Sequence, residues 1–452
     1  SILPAYSFID FLQNTPTGKL PLIAELPAYE ITTSVGDEAK TKSNPFQLKK
    51  LVKNSGVYAF SSLAAPLVAL VLAPFLTRTL SRTNYGALAL MTTVIALVAG
   101  LTQFGLGSAF FRSYNYDYET PRDRRGVLST VVILLLLTSI PIVVATLSVS
   151  TWLSVFLFND PSFSGVIRVG SLVVLMQNLT VPGFAWLRAE SRPVLFSTLA
   201  IANLAVSLVA TLIFVGVMHL QVIGALLATG VGYAAVVLCI LPLMLLRAGI
   251  HLRLDIAKGL LSFGLPNVFN FASVWVLQLS DRYLLSHLGS LSQTASYSLA
   301  YSLGGILGVV VLAPFNLAWP AAMFTIAKRK DATSVFQLVF RWFSLALLLA
   351  AFGLSIFSTI VLNVFFPISY RSATPIIPII AFSIMFYGIY NIFMTGVSIR
   401  RKTWFAVLLT TMAAITNIVL NLFLIPRYGS AGAAATTLIS FSLLAICASF
   451  LR

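Results

Sequence analysis

Charge is scarce in this chain. Only 9% of its 452 residues are Asp, Glu, Lys or Arg, against roughly 25% in soluble domains. Most of the chain is therefore not built to meet water. Its two cysteines, Cys239 and Cys447, each sit in an apolar run. They lack metal-ligand spacing and give no support for a disulfide scaffold. The three histidines, His219, His251 and His287, are scattered over different loops. No phosphate-cradling P-loop occurs, which excludes ATP hydrolysis by that route. Catalytic constellations are missing too, so the chain reads as a non-enzyme without metal or cofactor. Any work it does must draw on an ion gradient, the membrane potential or a substrate gradient.

Apolar residues, by contrast, are abundant: 58% of the chain, with a mean hydropathy of +0.94. A membrane span needs roughly 20 such residues. Twelve segments qualify, with ends good to a few residues. They begin with Gly56–Leu76, Gly86–Phe111, Val127–Phe156 and Gly165–Leu187. Val194–Val217, Val222–Leu246, Phe263–Leu285 and Ala295–Phe324 follow. The last are Val335–Val364, Ala373–Ile399, Trp404–Ile425 and Ser430–Leu451. The expected class is an all-α polytopic membrane protein with about twelve transmembrane helices.

The net charge of +16 does not point to nucleic acid, because the basic residues punctuate apolar segments instead of forming one patch. Alternate connections, with the two termini, hold 23 of the 29 Lys and Arg residues, and the other connections hold 6. The rich set includes Arg112, Arg122, Arg124, Arg125, Arg188, Arg192, Arg247 and Arg253. The poor set is Arg78, Arg82, Arg168, Arg282, Arg371 and Arg427. By the positive-inside rule both termini are expected in the cytoplasm. Residues 1–45 carry Pro, Thr, Glu, Asp and Lys without sustained period and lack signal-peptide order; they read as a flexible cytoplasmic tail. The chain opens on Ser1 and stops at Arg452 just after an apolar run, so the reading allows a fragment and makes the helix count a lower bound.

The two halves resemble each other. Arg192-Pro193, a helix from Phe196 and the run Gly224-Ala225-Leu226-Leu227-Ala228-Thr229 recur roughly 208 residues later. The later copy is Arg401-Lys402, a helix from Phe405 and Gly432-Ala433-Ala434-Ala435-Thr436-Thr437. Likewise Arg78 precedes Tyr85-Gly86-Ala87-Leu88, as Asp281-Arg282 precedes Tyr297-Ser298-Leu299-Ala300. Matching order and orientation imply two parallel six-helix lobes, residues 46–250 and 251–452, of the kind that bind substrate between them. Apolar helices share a limited alphabet, so chance similarity is the competing explanation.

Ionisable residues inside a span cost several kcal/mol and tend to face a cavity. Asp281 and Arg282 lie near the outer end of the seventh span. Adjacent helical residues point about 100° apart, so one can partner a neighbouring helix while the other faces a cavity. A snorkelling interfacial pair is equally consistent. Arg78 ends the first span near the outer side and Arg112 ends the second near the cytoplasm. Arginine suits phosphate because its planar fork bonds two oxygens at once, although each of these two also fits an interfacial anchor. Weaker polar candidates are Gln103, Gln177, Asn267, Asn270, Gln278 and Asn316, with Asn391, Asn417 and Asn421. Asn417 and Asn421 share one helix face, as do Asn267 and Asn270. Interhelical hydrogen bonding explains most such residues. Tyr297, Tyr301, Tyr387 and Tyr390 could stack on sugars, though packing and belt roles are commoner. The sequon at Asn178 lies within a span and is set aside.

Several segments carry a family likeness. The run from Ala73-Pro74-Phe75-Leu76-Thr77-Arg78 to Tyr85-Gly86 resembles the first outer loop of polysaccharide flippases. Gly105-Leu106-Gly107-Ser108-Ala109-Phe110-Phe111-Arg112 and Asp281-Arg282-Tyr283-Leu284-Leu285, followed by Ala295-Ser296-Tyr297-Ser298, add to it. Together they resemble the oligosaccharide flippase branch of the multidrug/oligosaccharidyl-lipid/polysaccharide (MOP) exporter superfamily, over roughly residues 45–452. The resemblance implies two lobes forming a V around a central cavity, as in multidrug-and-toxin (MATE) relatives. It implies movement of an undecaprenyl-pyrophosphate-linked oligosaccharide from the inner to the outer leaflet of the plasma membrane, for cell-envelope polysaccharide. Partners would be that lipid, membrane lipids and polysaccharide assembly enzymes. It maps pyrophosphate contacts onto Arg78, Arg112 and Arg282. Asp281 is the candidate for cation coupling, with Gln103, Asn270, Gln278 and Tyr301 as polar cavity residues. Some relatives carry fourteen spans. A cation-coupled drug or metabolite antiporter of the same superfamily would expect acids in the cavity. A membrane glycosyltransferase, polymerase or ligase would need a sizeable outer loop, and the outer connections here are short.

Overall fold

The computed structural model describes residues 64, 66–118, 120–399 and 404–450. The expected tail, the start of the first expected span and the Arg400-Arg401-Lys402 connection lie outside these residues, as do the side chains of Asn267 and Asn270. Every element found among the described residues is helical.

A short helix, α1 (Pro66–Thr79), comes first. The next expected span divides into α2 (Arg82–Thr102) and α3 (Leu106–Arg112). The break falls where Phe104 and Gly105 take left-handed backbone, with φ of 45° and 66°. Gly105 also lies against the backbone of Gly264, leaving no room there for a side chain. Helix α4 (Pro121–Ser148) starts on Pro121, with Thr120 capping the backbone N–H of Asp123, since an N-terminal proline gives up only an N–H that lacks a helical partner. Then come α5 (Ser150–Phe158), α6 (Ser164–Ala189), α7 (Pro193–Thr211) and α8 (Gln221–Ala248).

The later part holds α9 (Leu254–Leu288), α10 (Leu291–Gly304), α11 (Ala313–Ala327) and α12 (Ala332–Phe365). It ends with α13 (Ile376–Ile399) and the segment α14 (Trp404–Ser449). Among the described residues nine helical segments are long and apolar enough to cross a membrane.

Segment α14 is a hairpin. Gly429 at its middle has φ 56° and ψ −132°, outside the helical region. Asn421 and Thr437 both reach the Asp281 carboxylate, at 2.6 Å and 2.7 Å. In a straight helix sixteen residues would separate them by about 24 Å, so the chain must reverse between them. Only glycine adopts this backbone without strain.

The exterior confirms the apolar setting. On α12, Leu349, Ile356, Phe357, Ile360 and Val364 are all at least 57% exposed. The interior carries the polar groups: Asn178, Asn417, Asn421, Thr436, Thr437 and Ser440 are fully buried. That inversion is what lipid selects, since a buried polar group can find a partner inside the protein and none in hydrocarbon.

Helices α2 and α10, which correspond in the repeat read from sequence, pack along one another. Gly86 permits the approach, because a Cβ there would lie 1.8 Å from the backbone oxygen of Leu291. Beside it Arg82 donates to Ser296 Oγ at 2.7 Å, and the Tyr85 and Tyr370 rings meet edge to face at 5.8 Å.

Candidate functional site

A cavity of about 420 Å³ lies between α1, α2, α7 and α8 on one side and α9 and α10 on the other. Its walls are mostly small or hydroxyl-bearing, for instance Ala73, Ala89, Thr92, Thr229 and Ser302. Among the described residues a single charged one lines it, Arg282. That side chain is only 9% exposed. Its Nε donates to Ser298 Oγ at 3.3 Å, and its guanidinium lies 4.8 Å from the centre of the Tyr301 ring. Nη1 has no hydrogen-bond partner among the described residues. Stacking on the ring fixes the plane of the fork, and the free edge keeps donors for an anionic group.

Asp281 points elsewhere. It is 1% exposed and is enclosed by α9, α10 and the α14 hairpin. Its Oδ2 accepts from the Tyr297 hydroxyl at 2.5 Å and from Thr437 Oγ1 at 2.7 Å. Its Oδ1 accepts from Asn421 Nδ2 at 2.6 Å. Asn421 Nδ2 also meets Asn417 Oδ1 at 3.0 Å, and Ser280 Oγ donates to that oxygen at 3.4 Å. Two polar atoms of this cluster, Asn421 Oδ1 and Asn417 Nδ2, have no partner among the described residues. Of the two arrangements open from sequence, the structure takes the one with Asp281 on a neighbouring helix and Arg282 on the cavity. A snorkelling pair does not fit such burial.

The other expected arginines lie apart from the cavity. Arg78 is exposed and donates to the backbone oxygen of Phe365 at 3.2 Å, tying the end of α1 to the end of α12. Arg112 is exposed, 3.7 Å from Asp117 and over the Phe263 ring at 4.7 Å. Both sit at helix ends with exposed side chains, and neither lines the cavity. The expected ladder of three arginines is thus one arginine in this cavity and two at the helix ends. Tyr301 does join Arg282. Gln278 bonds the Tyr387 hydroxyl on α13.

Gln103 belongs to a separate network. Its Nε2 donates to Asn178 Oδ1 at 3.0 Å, while Asn178 Nδ2 donates to Thr102 Oγ1 at 2.7 Å and Ser139 Oγ at 2.9 Å. Asn178 is fully buried in α6, which explains why its sequon carries no weight.

One further acid near the membrane has no role assigned to it from sequence. Glu190, after α6, takes four donors: Tyr114 Oη at 3.0 Å and Trp186 Nε1 at 2.9 Å on Oε1, with Arg192 at 3.0 Å and Arg247 at 3.3 Å on Oε2. Burial, with the Glu190 charge and hydrogen bond adding to it, pushes the Tyr114 phenol above its usual range, so it remains a donor. The sequence signal was the spacing Trp186, Glu190, which places both on one helix face.

Known proteins agree with this reading at the level of family and fold. The family described as "Polysaccharide biosynthesis protein" matches residues 51–326, more than half of the chain. An uncharacterised membrane protein of Methanocaldococcus jannaschii is 24% identical over 187 residues, 41% of this chain, and the match spans 37% of that relative's length. Among solved structures, an inward-facing multidrug resistance MATE family transporter of the MOP superfamily aligns with a TM-score of 0.72 at 16% identity, covering 87% of this chain and 97% of its own. The lipid II flippase MurJ in an inward closed conformation aligns with a TM-score of 0.70 at 15% identity, covering 88% and 87%. The fold is therefore that of membrane transporters and flippases, and the chain belongs to the polysaccharide biosynthesis protein family.

Proposed function

We propose that this protein moves an undecaprenyl-pyrophosphate-linked oligosaccharide from the inner to the outer leaflet of the plasma membrane, for cell-envelope polysaccharide. The observation that carries the proposal is Arg282: a nearly buried guanidinium, held by Ser298 and Tyr301 and with one buried nitrogen unpartnered among the described residues, lining a cavity between helices of both halves. An uncompensated buried cation is costly unless a counter-charge arrives, and a pyrophosphate supplies that charge together with oxygens for the fork. Arg112 and Arg78 would meet the headgroup at the cytoplasmic and outer rims.

In this proposal residues 1–45 form a cytoplasmic tail, and residues 46–250 and 251–452 form two six-helix lobes. Twelve crossings then leave both termini in the cytoplasm; the α14 hairpin supports two of them in place of one. Asp281 is the coupling residue, loaded by a proton or a small cation. Its carboxylate shares one enclosure with oxygens of Tyr297, Thr437 and Asn421, a donor set suited to either. Enzymes of polysaccharide assembly would deliver and collect the cargo.

A drug antiporter is the second reading, favoured only by the likeness to a multidrug transporter. The described cavity lining contains an arginine and no acid, which disfavours a cationic cargo. The test is reconstitution in vesicles with a labelled lipid-linked oligosaccharide, scoring outer-leaflet appearance with and without an ion gradient. Protein-dependent movement supports the proposal. Transport of organic cations without movement of the lipid-linked sugar overturns it.

A further inference from the structure

A second pocket, of about 250 Å³, lies where the start of α4 meets the ends of α6 and α8. This is the end of the bundle where the basic connections gather. Arg124, Arg125 and Arg247 line it, with Tyr114, Trp186 and Glu190. Glu190 does not make it an acidic site. Both of its oxygens are already taken by Tyr114, Trp186, Arg192 and Arg247, so it acts to hold Arg247 and Arg192 in place. Four guanidiniums against one carboxylate leave a surplus of positive charge around a small space.

The donors are oriented as well as charged. The Arg124 Nε donates to the backbone oxygen of Tyr118 at 3.3 Å, and its guanidinium stands 5.5 Å from the centre of the Tyr114 ring. Arg247 is held 5.4 Å from the Trp186 ring. Arg125 makes no ion pair among the described residues. The forks of Arg124 and Arg247, held in this way, match the oxygens of a phosphate, and Arg125 adds an unpaired charge beside them.

We propose that this pocket binds a phosphodiester, supplied by the headgroup of an acidic membrane lipid. Its size suits a headgroup better than a larger ligand, whose clefts run from about 300 to 1,000 Å³. Exposed apolar residues that acyl chains could cover flank its basic residues in sequence: Leu246, next to Arg247, is 86% exposed, and Val194, two residues beyond Arg192, is 73% exposed. Tyr and Trp beside basic residues mark the headgroup level of a bilayer, and basic pockets between helix ends hold anionic headgroups. The site is distinct from the Arg282 cavity, and binding here does not depend on what that cavity carries.

The test uses the full chain in phosphatidylcholine nanodiscs, titrated with phosphatidylglycerol and read by native mass spectrometry and thermal melting. Phosphatidylglycerol should be retained over phosphatidylcholine and should raise the melting temperature. The double variant Arg124→Gln, Arg125→Gln should weaken that retention by about tenfold or more, the scale of one lost charge-assisted hydrogen bond or more. Arg124→Lys with Arg125→Lys should keep most of it, and melting in phosphatidylcholine alone reports that each variant folds. Retention unchanged in the Gln variant, or no preference over phosphatidylcholine, overturns the site. Equal protection by millimolar inorganic phosphate overturns the lipid as its source.

Discussion

Among the described residues one buried polar network centres on Asn178 and another on Asn421 and Asn417, and the two differ in one respect that matters. Around Asn178 the groups are neutral: Gln103, Thr102 and Ser139 satisfy the amide. Around Asn421 and Asn417 the centre is a carboxylate, Asp281, taking three donors from α10 and the two arms of the α14 hairpin. A neutral, saturated network fixes helices and has nothing further to gain. A buried carboxylate with unpartnered amide atoms beside it can change its energy when a proton or cation arrives. Under the proposed function the first network is thus a brace, and the second a brace that responds.

Substitutions can break this contrast in graded ways. The largest effect is expected for Asp281→Ala, which strands the Tyr297, Thr437 and Asn421 donors. At about 1–3 kcal/mol for each unsatisfied buried group, the loss should reach about 3 kcal/mol or more, seen as a lower melting temperature in detergent. Asp281→Asn keeps shape and most bonds, so it should fold and yet lose its response to an imposed ion gradient in vesicles. A full gradient response in that variant would remove Asp281 from coupling. Asn178→Ala is expected to cost about 1–3 kcal/mol of stability with the gradient response intact; a lost response would make the first network more than a brace. Gly86→Ala places a Cβ against the Leu291 backbone and should cost about 1–3 kcal/mol through overpacking. Arg82→Ala should change stability least, by about 1 kcal/mol, since Ser296, which accepts its part-buried bond, keeps the Ser292 backbone oxygen and Ser372 as partners.

Much of this was legible from residue order alone. Helical class and the basic connections follow from composition, because hydrocarbon tolerates only backbones that satisfy themselves. That Asp281 and Arg282 diverge was readable from the helical turn of about 100° per residue, though not which of the two would face the cavity. The choice depended on Asn421 and Thr437, about 140 and 156 residues away, and such pairings come from tertiary packing. The repeated Gly-Ala-Thr run had drawn notice, but nothing local said that Thr437 would bond a carboxylate. Arg78 and Arg112 looked like cavity residues because their type suits phosphate, yet their positions at helix ends put them at the rim. The break at Phe104 and Gly105 escaped a reading by hydropathy, since backbone angles leave no trace in it.

The central claim is that Arg282 holds an anionic headgroup in the cavity. The most direct measurement is the initial rate of lipid-linked oligosaccharide appearance in the outer leaflet of vesicles, for the native chain, Arg282→Ala and Arg282→Lys. The expected result is a loss of about tenfold to a hundredfold in Arg282→Ala, the scale of a charge-assisted hydrogen bond. Arg282→Lys should fall between the two, since it keeps charge without the fork, and all three should melt at similar temperatures. An unchanged rate in Arg282→Ala at normal expression and stability would contradict the claim.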